Sequence, residues 1–273
     1  MKKLSLLLLL FVSLAGFSQS ESPEHQLLHY WDDYNFENPK IFVEGDSVLG
    51  YFYLMNICSY ETSAASIKST LQKASKDDRI FSLFIDTFRV YLFNPDSYFC
   101  DYERYLAICE FVINDENINK YAKNDFFIEK EIIETNRVGK RAANFSVYDK
   151  KDNRIKLYDI KSEYLVVFFN NPDCGICMKT KENLENSTTV NSLVDSGRLK
   201  IFAVCPYDEY ELWENTSYPE KWLNGFDKDM KINTEKLYYF LESSSIYLLD
   251  KDKNIVKKDV RFDVLEEYLE KLM

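Results

Sequence analysis

Apolar positions in the first half of the chain recur at helical spacing. Leu27, Leu28, Tyr30, Trp31 and Tyr34 predict a first helix. Asp46 and Ser47 are placed to cap a second, carrying Val48, Leu49, Tyr51, Phe52, Leu54 and Met55. A third covers residues 62–74, with Ala65, Ile67 and Leu71 on one face. After Asp77 and Asp78, a strongly amphipathic stretch places Ile80, Phe81, Phe84, Ile85, Phe88 and Leu92 together, and Asn94-Pro95-Asp96 ends it as a turn. Two more helices are predicted around residues 102–112 and 126–133. The aromatic stripes at this spacing read as core rather than as a ligand site.

Near residue 137 the period changes. Residues 143–148 and 155–157 alternate as strands around a polar turn, and Tyr164-Leu165-Val166-Val167-Phe168-Phe169 is a buried strand. A helix follows to about Asn186, then a second buried strand at residues 199–204. The polar and aromatic stretch 206–236, with Trp213 and Trp222, predicts helices. Residues 246–249 and 255–258 form a hairpin, and Val264, Leu265, Tyr268, Leu269 and Leu272 form a closing helix. The expected architecture is an all-α domain over 21–136, followed over 137–273 by a mixed sheet flanked by helices.

Composition adds an address. Lys2 and Lys3 precede an apolar run to Ala15, and small or polar residues Gly16, Ser18 and Ser20 follow. This is the layout of a signal peptide over residues 1–20, too short for a membrane span of roughly 20 residues. No cysteine precedes Cys58, so the cleavage region offers none for lipid attachment. Loss of residues 1–20 removes two lysines and no acids, taking the formal charge from −11 to −13. Such a chain has no electrostatic reason to bind nucleic acid or an anionic membrane surface. No later stretch is apolar enough to span a bilayer. The mature chain is expected to be exported, in a periplasmic setting where disulfides persist.

Candidate chemistry concentrates at Asn170-Asn171-Pro172-Asp173-Cys174-Gly175-Ile176-Cys177, where the buried strand turns into a helix. A cysteine at a helix N-terminus faces unpaired N–H groups and the positive end of the helix dipole, and both favour thiolate. Cys174 is therefore the expected nucleophile and the more exposed sulfur. Cys177, three residues on, is the expected buried, resolving thiol. A structural disulfide is the alternative. Zinc would require further paired ligands, yet Cys58, Cys100, Cys109 and Cys205 are single. The only histidines, His25 and His29, lie in the first domain at i, i+4 spacing with no third ligand group beside them. A peroxidase would favour Thr or Ser three residues before Cys174, where Asn171 stands. No metal or other cofactor is expected beyond the Cys174–Cys177 redox pair. Cys205 falls at the carboxyl edge of the sheet, and a Cys100–Cys109 bond is one pairing among several.

These landmarks, with Val138-Gly139-Lys140-Arg141-Ala142-Ala143-Asn144-Phe145 before them and Ile246-Tyr247-Leu248-Leu249-Asp250 after, resemble an exported thioredoxin-fold protein of the TlpA-like kind. The resemblance covers about half the chain. The whole arrangement also resembles a family whose N-terminal helical half has no assigned activity. The resemblance implies a thiol-disulfide oxidoreductase acting on protein disulfides, reductant rather than oxidant, with a redox-partner protein.

Three positions depart from the family pattern. Ser244 stands where the family places a cis-proline in the substrate-docking loop, beside Ser245, and no proline follows Pro219. A cis bond before serine costs roughly 3–4 kcal/mol, so trans is expected. Phe168 stands where many relatives carry a buried acid. Asp173 abuts Cys174 and opposes its thiolate, while Lys179 and Lys181 offset that charge. The alternative function is a non-catalytic binding or scaffold protein in which the Cys174–Cys177 bond is structural.

Overall fold

The computed structural model describes residues 21–36, 46–241 and 244–273. The expected signal peptide and its cleavage region fall outside the described residues, as does the side chain of Asp46. No helix among the described residues is long and apolar enough to cross a membrane.

The first half is helical, as its periodicity predicts. It contains α1 (Pro23–His29), α2 (Asp46–Ile57), α3 (Tyr60–Ala74), α4 (Asp78–Phe88), α5 (Tyr102–Asn114) and α6 (Asn124–Glu134). Capping side chains set several of the starts. Ser59 accepts from Thr62 N–H, Asp77 from Arg79 and Ile80 N–H, and Asp101 from Arg104 N–H. The aromatic stripes close one core around Trp31, Tyr51, Phe52, Phe84, Phe88 and Tyr105. His25 and His29 lie exposed on α1 and pair with Glu21 and Asp32 at 3.3 and 2.6 Å. No cluster of three or more metal-ligating acids, histidines and cysteines occurs among the described residues.

The second half carries β1 (Ser146–Tyr148), β2 (Arg154–Lys156), β3 (Tyr164–Phe169), β4 (Leu199–Cys205), β5 (Leu223–Phe226), β6 (Ser245–Asp250) and β7 (Ile255–Lys257). They form one sheet of order β2-β1-β5-β4-β3-β6-β7. β3, β4 and β5 run parallel, and the flanking pairs are antiparallel. Strand alternation divides the two faces. Leu165, Val167 and Phe169 enter one core, while Val166 and Phe168 enter the other, which is covered by α7 (Gly175–Asn186), α8 (Thr188–Asp195) and α11 (Phe262–Glu270).

The stretch 206–236 differs from the expectation of helices alone. It holds α9 (Tyr210–Asn215) and α10 (Lys231–Thr234), but β5 lies between them. Leu223-Asn224-Gly225-Phe226 has little strand propensity. It becomes a strand because β4 offers a parallel partner along Phe202 to Cys205. The predicted strand over 143–148 is also shorter, starting at Ser146. Upstream, side chains replace the ladder: Asn136 accepts from Ala143 N–H, and Tyr158 and Tyr238 donate to Ala142 and Ala143 carbonyls. α8 is an element the sequence reading left unassigned, between the helix ending at about Asn186 and β4. Ser187 ends one helix and caps the next by accepting from Val190 N–H.

Gly225 shows how closely β5 meets β1. A Cβ at that position would lie 2.3 Å from Val147 Cγ2. Val147 is β-branched and fully buried, so it cannot swing aside. Gly225→Ala is expected to destabilise by about 1–3 kcal/mol, read as a lower midpoint in urea with an unchanged slope.

The two halves meet across a polar seam. Lys258, buried after β7, donates to the carbonyls of Ile132, Ile133 and Thr135 at the end of α6, at 2.7, 3.2 and 2.6 Å. Helix ends leave such carbonyls without intrahelical donors, so a lysine from the other domain completes α6. Tyr239 donates to Glu131 at 2.6 Å, and Asn136 donates to the Leu237 carbonyl at 2.7 Å. Tyr239 and Leu241 pack onto the helical core itself. The segment leading into the Ser244 loop is therefore held by the helical domain.

Candidate active site

β3 delivers the chain to the carboxyl edge of the sheet, and α7 departs from it. Asn170 is buried at the turn. Its side-chain N–H groups reach the Phe168 and Val204 carbonyls at 3.2 and 3.3 Å, and its Oδ1 accepts from the Tyr218 hydroxyl at 2.8 Å. Asn171 Oδ1 then accepts from Asp173 N–H, and Asn171 O from Cys174 N–H. This tight turn leaves Cys174 extended, at φ −93° and ψ 121°, as the N-cap of α7.

The two sulfurs differ in environment. Cys174 is half-buried and its Sγ accepts from Cys177 N–H at 3.4 Å. It occupies the place of a capping side chain, where the open end of the helix favours negative charge. Gly175 beside it meets nothing within 4 Å of where a Cβ would stand, and Ile176 and Met178 are 56% and 57% exposed. Cys177 is buried in the same apolar cluster as Phe168. Burial pushes its thiol up to about 12, opposed by Asn171 N–H, which donates to its Sγ at 3.4 Å. Phe168 is fully buried and supplies no proton acceptor beneath the pair.

The other site residues fall around the pair. Asp173 is exposed. Lys179 reaches Glu182 at 2.8 Å and Lys181 reaches Glu185 at 2.7 Å, so both ammonium groups pair along their own helix. Ser244 donates or accepts across to Thr180 of α7 at 3.1 Å, which ties the loop to the redox helix. Ser245 opens β6 and hydrogen-bonds the buried Asp259, as does Tyr247 at 3.4 Å. No peptide bond among the described residues is cis. The bond into Ser244 begins at Ser243, outside them.

Two neighbours were not singled out by the sequence. Tyr207 and Tyr218, from the stretch after β4, have hydroxyls raised mainly by burial and further by the nearby sulfurs of the pair and Cys205. Asn170 links Tyr218 to the strand ends. The usable signal was position: Tyr207 follows Cys205-Pro206 at the carboxyl end of β4, the edge where open α/β sheets hold their sites. Cys205 is buried at that edge, and burial pushes its thiol up to about 11. Cys100 and Cys109 are not bonded to each other; burial pushes both up to about 12.

Comparison with known proteins agrees with this layout. Residues 18–136 match the family described as a domain of unknown function, DUF5106. A thioredoxin-like protein from Bacteroides caccae superposes with a TM-score of 0.85 at 26% identity, over 96% of this chain and 98% of that one. The C-terminal domain of an uncharacterised protein from Bacteroides fragilis is 32% identical over 50% of this chain and 99% of its own, with a TM-score of 0.49. The thioredoxin domain of a thiol-disulfide oxidoreductase from Bacteroides vulgatus is 29% identical over 50% of this chain and 96% of its own, with a TM-score of 0.43. A search of curated proteins finds no match. The chain is thus similar over nearly its whole length to a thioredoxin-like protein, and its second half has the thioredoxin-like fold after a helical domain that matches a family of unknown function.

Proposed function

We propose that the protein is an exported thiol-disulfide oxidoreductase that reduces protein disulfides and is itself re-reduced by a dithiol partner protein. One observation carries the reading: Cys174 caps the open N-terminus of α7 at the surface, with Cys177 buried one turn behind it. The Cys174 thiolate attacks a substrate disulfide, forming a Cys174–substrate disulfide and expelling one substrate thiolate. Cys177 loses its proton and attacks Cys174 Sγ, forming the Cys174–Cys177 disulfide and releasing the second thiolate. Two electrons pass from the pair to the substrate, and the partner dithiol restores them. The Ser244 loop, tied to Thr180, is the docking edge for the substrate chain. Asp173 and Lys179 act on the pair through their charges, and Lys179 is itself paired with Glu182.

Thiol trapping across a redox titration of the mature chain tests this directly. Cys174 and Cys177 are expected to change state together, as one two-electron step. Cys58, Cys109 and Cys205, all buried, should become accessible only on denaturation. A pair that stays oxidised under mild dithiol throughout would mark a structural disulfide and a scaffold role.

A further inference from the structure

Among the described residues, the helical half reaches the redox helix at the turn after α4. α4 runs into a π-helical turn, Arg89–Phe93, that closes with Asn94 N–H on the Arg89 carbonyl at 3.1 Å. Pro95 prevents further winding, and the chain reverses through residues 94–98. Asn94 holds that reversal by accepting from Asp96 N–H through Oδ1 at 2.9 Å and from Ser97 N–H through its carbonyl at 3.0 Å. The tip, Pro95 and Asp96, stands across a groove of about 250 Å³ from Ile176 and Thr180 of α7, with Ser244 also along it. Arg261 Nη1 donates to the Asp96 carbonyl at 3.0 Å, fastening the tip to the other domain.

Size and charge define what this groove takes. A space of that volume holds one or two side chains and is below the usual range of about 300–1,000 Å³ for a cofactor or drug-sized ligand. Arg261 is the one cation among the residues lining it, and it is already paired with Asp263. Asp96 is exposed, and Asp259 lies buried at the groove's base. Two exposed acids line the groove: Asp263, paired with Arg261, and Asp96, which the helical half supplies, so the wall carries more negative than positive charge. The seam at Lys258 and Tyr239 keeps this wall in fixed register with the redox helix.

We propose that the helical half is a substrate-selecting wall of the redox site: its turn at residues 94–98 and α7 clasp an extended polypeptide segment that carries a lysine or arginine beside its disulfide. The proposal rests on the oxidoreductase reading and adds to it a role for the helical half. The groove begins within one turn of Cys174, at Ile176, and runs along α7 to Thr180. A substrate cysteine attacked by Cys174 thus brings its neighbouring residues under the Pro95–Asp96 tip.

The test compares the mature wild type with Asp96→Lys. Two disulfide peptides are used, identical except for lysines or glutamates flanking the cysteine, and each kcat/KM is taken relative to that on an uncharged small disulfide. The wild type is expected to favour the lysine peptide by about two- to fivefold, the size of one partly exposed ion pair. Asp96→Lys is expected to abolish or invert that ratio, and raised salt to weaken it in the wild type. Equal wild-type rates on the two peptides, or a preference that survives Asp96→Lys, overturn the proposal while leaving the redox reading intact. A wild type that turns over none of the three disulfides overturns the redox reading, and the groove's role falls with it.

Discussion

Cys174→Ala is expected to lower turnover of a protein disulfide by about a thousandfold or more, the loss typical of removing a nucleophile. Cys177→Ala should be equally inactive in steady state but for a different reason. Its Cys174 still attacks, and the mixed disulfide has no internal thiol to release it. A covalent complex stable in non-reducing electrophoresis is the expected product. The asymmetry follows from geometry: Cys174 is at the surface and caps the helix, whereas Cys177 is buried with its thiol pushed up to about 12. With no acid beneath the pair, Cys177 deprotonation should limit release, so mixed-disulfide resolution in the wild type is expected to quicken as pH rises. Activity that persists in Cys174→Ala would remove the assigned nucleophile.

Lys258→Met is expected to cost about 2–4 kcal/mol at neutral pH, measured by urea unfolding. Methionine fills similar volume but donates nothing to the Ile132, Ile133 and Thr135 carbonyls. Burying an ammonium also carries a penalty. The hydrogen bonds only partly offset it, and the cost of the substitution comes from the three buried carbonyls left without a donor, at roughly 1–3 kcal/mol for each unsatisfied group. The pH dependence has a definite sign. Burial pushes Lys258 down from the ordinary 10.5 to about 8, with Asp259 opposing. Between those values the unfolded chain holds a proton that the folded chain has released, so folding gains as pH rises. This contribution is fully present above 10.5 and is lost as pH falls through about 8. The stability gap between wild type and Lys258→Met should therefore widen from pH 8 to pH 10, by about 3 kcal/mol at most. A gap that narrows over this window would contradict the assignment. Buried tyrosines such as Tyr238 and Tyr247 act in the opposite direction at alkaline pH, but they are common to both chains and cancel in the comparison.

The strand Tyr164–Phe169 and the helix at Gly175 were readable because each has an unambiguous period and the cysteines sit at the junction. The six helices of the first half were readable for the same reason. β5 was not, because Asn224 and Gly225 carry no strand preference and become a strand only where β4 exposes an unpaired edge. The same holds for the surroundings of the pair. Phe168 and Asp173 could be placed by counting from the cysteines, and Ser244 by its place just before the hairpin strand. Tyr207 and Tyr218 reach the site by chain reversal through a stretch with no regular period. Lys179 and Lys181 have the charge to influence Cys174, yet spacing on α7 directs them to Glu182 and Glu185 instead.

By itself, the sequence determined that this chain has a helical half and a sheet half, and that a dithiol stands where a buried strand meets a helix. Local periodicity and the physics of a helix N-terminus are enough for that. Tertiary structure decided what the dithiol is joined to. Lys258 closes α6 from the other domain, Tyr239 binds Glu131, and Pro95 with Asp96 is brought across from α7. Those contacts join residues 80 or more positions apart, and no period in the chain encodes them. They exist because buried carbonyls at a helix end need donors, and the fold brings the nearest one from the far half of the chain.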